Sequence, residues 1–430
     1  MIEKIESVLA NFKDITGWKI VENHIKSREL FFVKKELDMS RAKEVQKYKV
    51  TVFKDFTEDG IKYKGSSEVA VHPTMDEAEI ESVIKGAAFS AGYVKSKYYP
   101  LVKGRPSAGK TKDVSLPELK QIDEMSEAVY KNDVNSDGWI NSCELFLNND
   151  YTRIVNSEGV DVSYTGSDGL LELVVDWKGL KEEVELFKYV NFAGDAKDIL
   201  SENVRELLDL AKNKAVAKPT PSLRKSTVLL TRESVPTFFK YYFAQSGARG
   251  VYDNISQFKV GETVQGENVQ GDYVNMVLDP CLKNSSDSRP YDNDGIELKP
   301  VLIIENGILK RYWGDAMHSY YLNIEPTGSI KNIVVKGGSK SIDDMKKEPY
   351  LELLAFSDFQ MDEFTGYFAG EIRFGWYFDG NKKIPVTGGS ISGSIQDVQK
   401  NMFLSKETSQ QNNFYGPKTI QLFNVSVAGN

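Results

Sequence analysis

Apolar and polar positions follow two rhythms along this chain, and their order sets the first expectation of its architecture. Ile2, Ile5, Leu9 and Phe12 recur at helical spacing, so residues 1–13 read as an amphipathic helix. GWKIVE, RELFFVKK, KYKVTVF and SEVAVH follow as strand candidates. In KYKVTVF, Tyr48, Val50 and Val52 alternate with polar neighbours, which turns one strand face toward a core. Thr74 and Glu77 have the spacing of a capping box and predict a helix over 75–94, with Ile80, Val83, Ile84 and Ala87 buried.

LVKGRPSAGKTKDVSL, residues 101–116, has the composition of a linker. A helix is predicted over 117–131. Strand signals return in WINSCELFL, TRIVN, VDVSYT and LLELVVDW, with turn candidates at Asn148–Asp150, Asn156–Gly159 and Gly166–Gly169. A helix over 196–215, with Ile199, Leu200, Val204, Leu207 and Leu208 inward, closes this block, and AKPTPSLRK follows as a second linker. From Ser226 the chain is strand-rich, with hairpin signals at Asn306-Gly307 and Asp379-Gly380. Short helices are predicted over 233–243 and 341–347. The expected class is α+β in three parts. Residues 1–100 and 117–216 form α+β domains, antiparallel sheet with covering helices. Residues 223–430 form a large β-rich, barrel-like domain.

Composition narrows the function. A chain of 430 residues with 40% hydrophobic residues can fill more than one core. Its net charge of −8 repels phosphate backbones, so nucleic acid is not expected as a partner. The two cysteines, Cys143 and Cys281, lie far apart and supply neither a disulfide framework nor a four-cysteine zinc site. MIEKIESVLANF carries acids among its apolar residues, unlike a signal peptide, and no apolar run is long enough to span a membrane. A soluble, cytoplasmic protein without a membrane partner is expected.

Two short motifs compete for attention. DVNSDGWINSCE places Asp133, Asn135, Asp137, Gly138 and Glu144 where a calcium-binding hand needs them. The following residues, LFLNNDYTRIVN, read as strand rather than as the exiting helix of such a hand, which leaves a solitary calcium loop or an ordinary turn. GRPSAGKT, Gly104–Thr111, fits the phosphate-loop pattern. It follows a proline-broken stretch and does not run directly into a helix, so a basic linker is the expected reading. Of the three histidines, His24, His72 and His318, no two fall within one helical turn. The residues alone display no catalytic set.

Several strings that occur together carry a resemblance. SRPYDNDGIELKPVLIIENGILKRYWGDAMHSYYL (288–322), FTGYFAGEIRFGWYFDGNKKIPVTGGSISGS (364–394), the terminal IQLFNVSVAGN and RIVNSEGVDVSYTG (153–166) resemble the TldD/PmbA family. The family comprises cytoplasmic, zinc-metallopeptidase-related proteins once called modulators of DNA gyrase. The resemblance implies a zinc motif, H-E-x-x-x-H, early in the third domain, a late cysteine ligand, and a glutamate that activates water. Its best counterpart here is RESVPT: Glu233 keeps the glutamate place, while Arg232 and Thr237 stand where histidines would be. No cysteine follows Cys281. The resemblance therefore implies a TldE/PmbA-type subunit without catalytic or metal residues of its own. Zinc is expected only in a TldD-type partner, and the pair acts on unfolded or modified peptides. Two alternatives stand beside it: a self-associating, non-catalytic peptide-binding homodimer, and an active protease with an atypical carboxylate metal site.

Overall fold

The computed structural model describes residues 1–104, 114–179 and 182–429. Strands hold 44% of the chain and helices 21%, which is the expected α+β class. The N-terminal part runs α1 (Ile2–Leu9), β1 (Gly17–Val33), β2 (Glu36–Glu58), β3 (Ile61–Val71), α2 (Glu77–Ala91), α3 (Leu119–Tyr130), β4 (Gly138–Asn156), β5 (Asp161–Trp177), β6 (Val184–Phe192) and α4 (Lys197–Lys214). Its six strands form one antiparallel half-barrel sheet in the order β3-β2-β1-β4-β5-β6. The first and middle blocks thus share a sheet through the long β1–β4 pairing from Lys19↔Asn156 to Val33↔Ser142.

Each block still has its own core on the helical face. Ile5, Val8, Ile20, Val50, Val52, Ile80 and Ile84 pack beneath α1 and α2. Ile122, Met125, Leu145, Leu171, Leu173, Leu200 and Val204 pack beneath α3 and α4. Burial of these side chains, at about 1.5–3 kcal/mol each, is what holds helices of ordinary propensity to the sheet.

Three local expectations change. The capping box belongs to Asp76 and Glu79 rather than to Thr74 and Glu77. Asp76 Oδ1 accepts from the Glu79 N–H at 2.9 Å, and Glu79 Oε2 accepts from the Asp76 N–H at 2.9 Å. Residues 148–150 and 166–169 are not turns, because they face each other across β4 and β5 in mid-ladder. β6, not foreseen, forms the edge of the sheet.

The C-terminal part opens with β7 (Lys218–Pro219), β8 (Leu223–Thr231), α5 (Ser234–Gln245), α6 (Ala248–Tyr252), β9 (Met276–Leu278), β10 (Val301–Glu305), β11 (Ile308–Leu309), α7 (Ala316–Tyr321) and β12 (Ile333–Val335). It continues with α8 (Ile342–Met345), β13 (Tyr350–Met361), β14 (Tyr367–Phe378), β15 (Lys383–Thr387), β16 (Ser390–Ser394), α9 (Ile395–Val398), β17 (Phe403–Leu404), β18 (Thr408–Gln411), β19 (Phe414–Pro417) and β20 (Thr419–Ala428). β13, β8, β20, β16 and β14 neighbour one another in that order, and a β13–β14 pairing closes them into a five-strand barrel. α5 packs into the barrel's core through Val235, Phe238, Phe239 and Tyr242, which are fully buried. The predicted hairpin at Asn306-Gly307 joins β10 to β11, with both residues at positive φ (50° and 72°).

Candidate functional site

β8 ends at Thr231, where three groups set the chain's course into α5. The Thr231 hydroxyl donates to the Leu353 carbonyl at 2.7 Å, and its own carbonyl accepts from Ser234 Oγ at 2.7 Å. Between them Arg232 takes a left-handed backbone, φ 56°, a costly conformation for a side chain this long. Glu233 is the N-cap residue and Thr237 lies within the first turns of the helix, its hydroxyl donating to the Glu233 carbonyl at 2.9 Å. Arg232 therefore stands outside the helix that carries Thr237.

Both charged residues are engaged with the middle block. Arg232 Nη1 lies 3.1 Å from Glu206 Oε2 on α4, and Glu233 Oε1 lies 3.0 Å from Lys188 Nζ on β6. Lys188 is only 13% exposed at its side chain and Glu233 is 61% exposed. Burial pushes the Glu233 carboxyl up, but the Lys188 ammonium, a backbone amide and Arg232 together outweigh that and hold it below the usual carboxylate range.

This donor set does not fit a zinc ion. A guanidinium only donates and repels a dication, and the Thr237 hydroxyl is a weak ligand already donated elsewhere. Two of the histidines are engaged elsewhere. His318 lies on α7 with its Nδ1 2.9 Å from Asp315 Oδ2, and His24 contacts Glu44 at 2.7 Å from Nε2. Among the described residues no group of three or more His, Cys, Asp or Glu side chains is placed to hold a metal ion.

The calcium-loop residues are likewise spread. Gly138–Glu144 is strand, and Glu144 sits in the ladder opposite Glu172. Lys35 Nζ bonds the Asp133 carbonyl at 2.8 Å, and Lys178 Nζ lies 3.4 Å from Asp137 Oδ1. Gly138 is needed for another reason: a Cβ there would lie 2.0 Å from the Trp177 ring. Of the phosphate-loop string only Gly104 is among the described residues, and the next helix begins at Leu119.

Two open grooves stand out, one beside the barrel and one between the N-terminal and C-terminal parts. One, of about 880 Å³, is lined by Asp362, Phe364, Tyr367, Ser394 and Asp397. The other, of about 620 Å³ and largely apolar, lies where Leu101 and Val162 meet Ile296, Tyr320 and Pro326. Sequence reasoning named none of these except through the flanking strings. Long-range packing brings them together, and no local spacing announces it.

The closed barrel and the half-barrel sheet set the fold within which these residues stand. Residues 223–429, just under half of the chain, match the PmbA/TldA metallopeptidase C-terminal domain. An uncharacterised protein of Methanocaldococcus jannaschii is 24% identical over 63% of this chain and 65% of its own length. A metalloprotease PmbA homolog of Buchnera aphidicola is 23% identical over 65% of this chain and 67% of its own. The matched stretch thus spans about two thirds of these relatives. The crystal structure of TldE from Thermococcus kodakarensis superposes with a TM-score of 0.76 at 15% identity, covering 99% of this chain and 100% of the other, a likeness of fold. No helix among the described residues is long and apolar enough to cross a membrane.

Proposed function

We propose that this chain is the non-catalytic, TldE/PmbA-type subunit of a zinc-dependent peptidase pair that acts on unfolded or modified peptides. One observation carries the reading: at the places expected for metal-binding histidines stand Arg232, ion-paired to Glu206, and Thr237, bonded to its own helix. The zinc and the activated water would then reside in a TldD-type partner. This chain would contribute wall and grooves that admit an extended chain and exclude folded ones. The similarity to a structure named TldE supports the reading through fold.

The test is co-expression with an H-E-x-x-x-H paralogue, followed by elemental analysis and a casein-cleavage assay. The expected result is a stable complex with zinc and activity, against a metal-free, inactive chain alone. Stoichiometric zinc and EDTA-sensitive cleavage by the isolated chain would overturn it, and so would failure to associate with any such paralogue.

A further inference from the structure

The half-barrel sheet has a second face, turned away from α3 and α4, and large apolar side chains stand exposed on it at Met39, Phe187 and Tyr189. One row crosses five strands there: Met39, Phe31, Glu144, Glu172 and Tyr189 are successive cross-strand partners. The rows on either side add Phe146 with Leu170, and Val174 with Phe187. Tyr189 is 57% and Phe187 50% exposed, and their rings meet edge-on at 4.4 Å. Phe31 and Phe146 pair edge-on at 5.6 Å.

At the centre, two glutamates oppose each other directly. Carboxylates facing across adjacent strands repel, and the usual remedy is a cation between them. Among the described residues neither Glu144 nor Glu172 has an ion-pair partner, and the nearby Arg41 is committed to Glu29. Burial, and then the neighbouring Glu144, raise the Glu172 carboxyl above its ordinary value. The arrangement is a carboxylate pair walled by aromatic rings, which suits a cationic side chain and the apolar residues beside it. A second copy of this chain suits it poorly, because a twofold contact would set this glutamate pair against its own duplicate.

We infer that this face docks an extended peptide segment bearing a lysine or arginine between apolar residues. In the pair proposed above, it would select cationic segments of the substrate. That role rests on the subunit reading, whereas the binding is a property of this chain alone. The probes are two labelled peptides of about nine residues, long enough to cross the row. One has a central lysine among leucine and valine; its twin has glutamate there. Fluorescence anisotropy on the intact chain should show the lysine peptide binding about tenfold tighter or more, with the gap shrinking at high salt. In a Glu144→Gln/Glu172→Gln variant with unlowered Tm the preference should vanish. Phe187→Ala/Tyr189→Ala should weaken both peptides. Equal affinity of the twins, or a preference that survives the double glutamine variant, would overturn the inference. So would light scattering in which Phe187→Ala/Tyr189→Ala turns a dimer into monomers, since a second copy would then be the occupant. Absence of a zinc-bearing partner would defeat the subunit reading and leave this binding preference intact.

Discussion

Gly138 stands at the turn position of a calcium-loop pattern, yet the fold uses it as a gap for the Trp177 ring. Gly138→Ala is therefore expected to cost about 2 kcal/mol or more by overpacking, with or without calcium, in a urea titration. Asp150 shows the opposite case, a residue that reads as a turn former but lies half-buried in mid-strand. Burial first, then Asp168, push its carboxyl up to about 6, against the pull of Arg289. Its proton is held more tightly folded than unfolded, so its favourable contribution is complete below about pH 4 and disappears as pH rises through about 6. Asp150→Asn should thus be the more stable protein at pH 7.5 by roughly 1–2 kcal/mol, and the two should converge near pH 4. Thermal melts across that range decide it. No motif pointed to the Arg232 and Glu233 ion pairs, because their partners lie on α4 and β6, elements that local spacing cannot bring near.

Helices were the most legible elements. The periodicities of α1, α2 and α4 predicted their positions and most of their buried residues, and α3 was placed without a buried face, since each needs only an apolar stripe against a sheet. The start of α2 was misjudged by two residues, and stability can check the correction. Asp76→Ala should cost about 1 kcal/mol, while Thr74→Ala should stay within about 0.5 kcal/mol. Strands were divided too finely: Asn148–Asp150 and Gly166–Gly169 have turn composition, but the long ladder between β4 and β5 pairs them with each other and overrides it. A strand's length is set by its neighbours, which a single segment does not contain. The same holds for β6, where Glu185, Lys188 and Asn191 fall at every third position and mask the period of two at the sheet's edge.

Across the whole molecule the barrel and the middle block are joined by apolar contact as well as by charge. Phe374, on β14, is 1% exposed and belongs to the core beneath α3 and α4, with Leu354, Ala355 and Trp376 packed against it. Phe374→Ala should cost about 3–5 kcal/mol and split one cooperative calorimetric transition into two. The sequence by itself determined the α+β class, the main helices and the β-rich C-terminal region, whose resemblance the match over residues 223–429 bears out. Only the tertiary structure decided that the N-terminal strands share one sheet, that β13 meets β14 to close the barrel, and that Glu144 faces Glu172 between aromatic rings. Those outcomes depend on hydrogen bonds and burial between residues far apart in the chain, where periodicity carries no information.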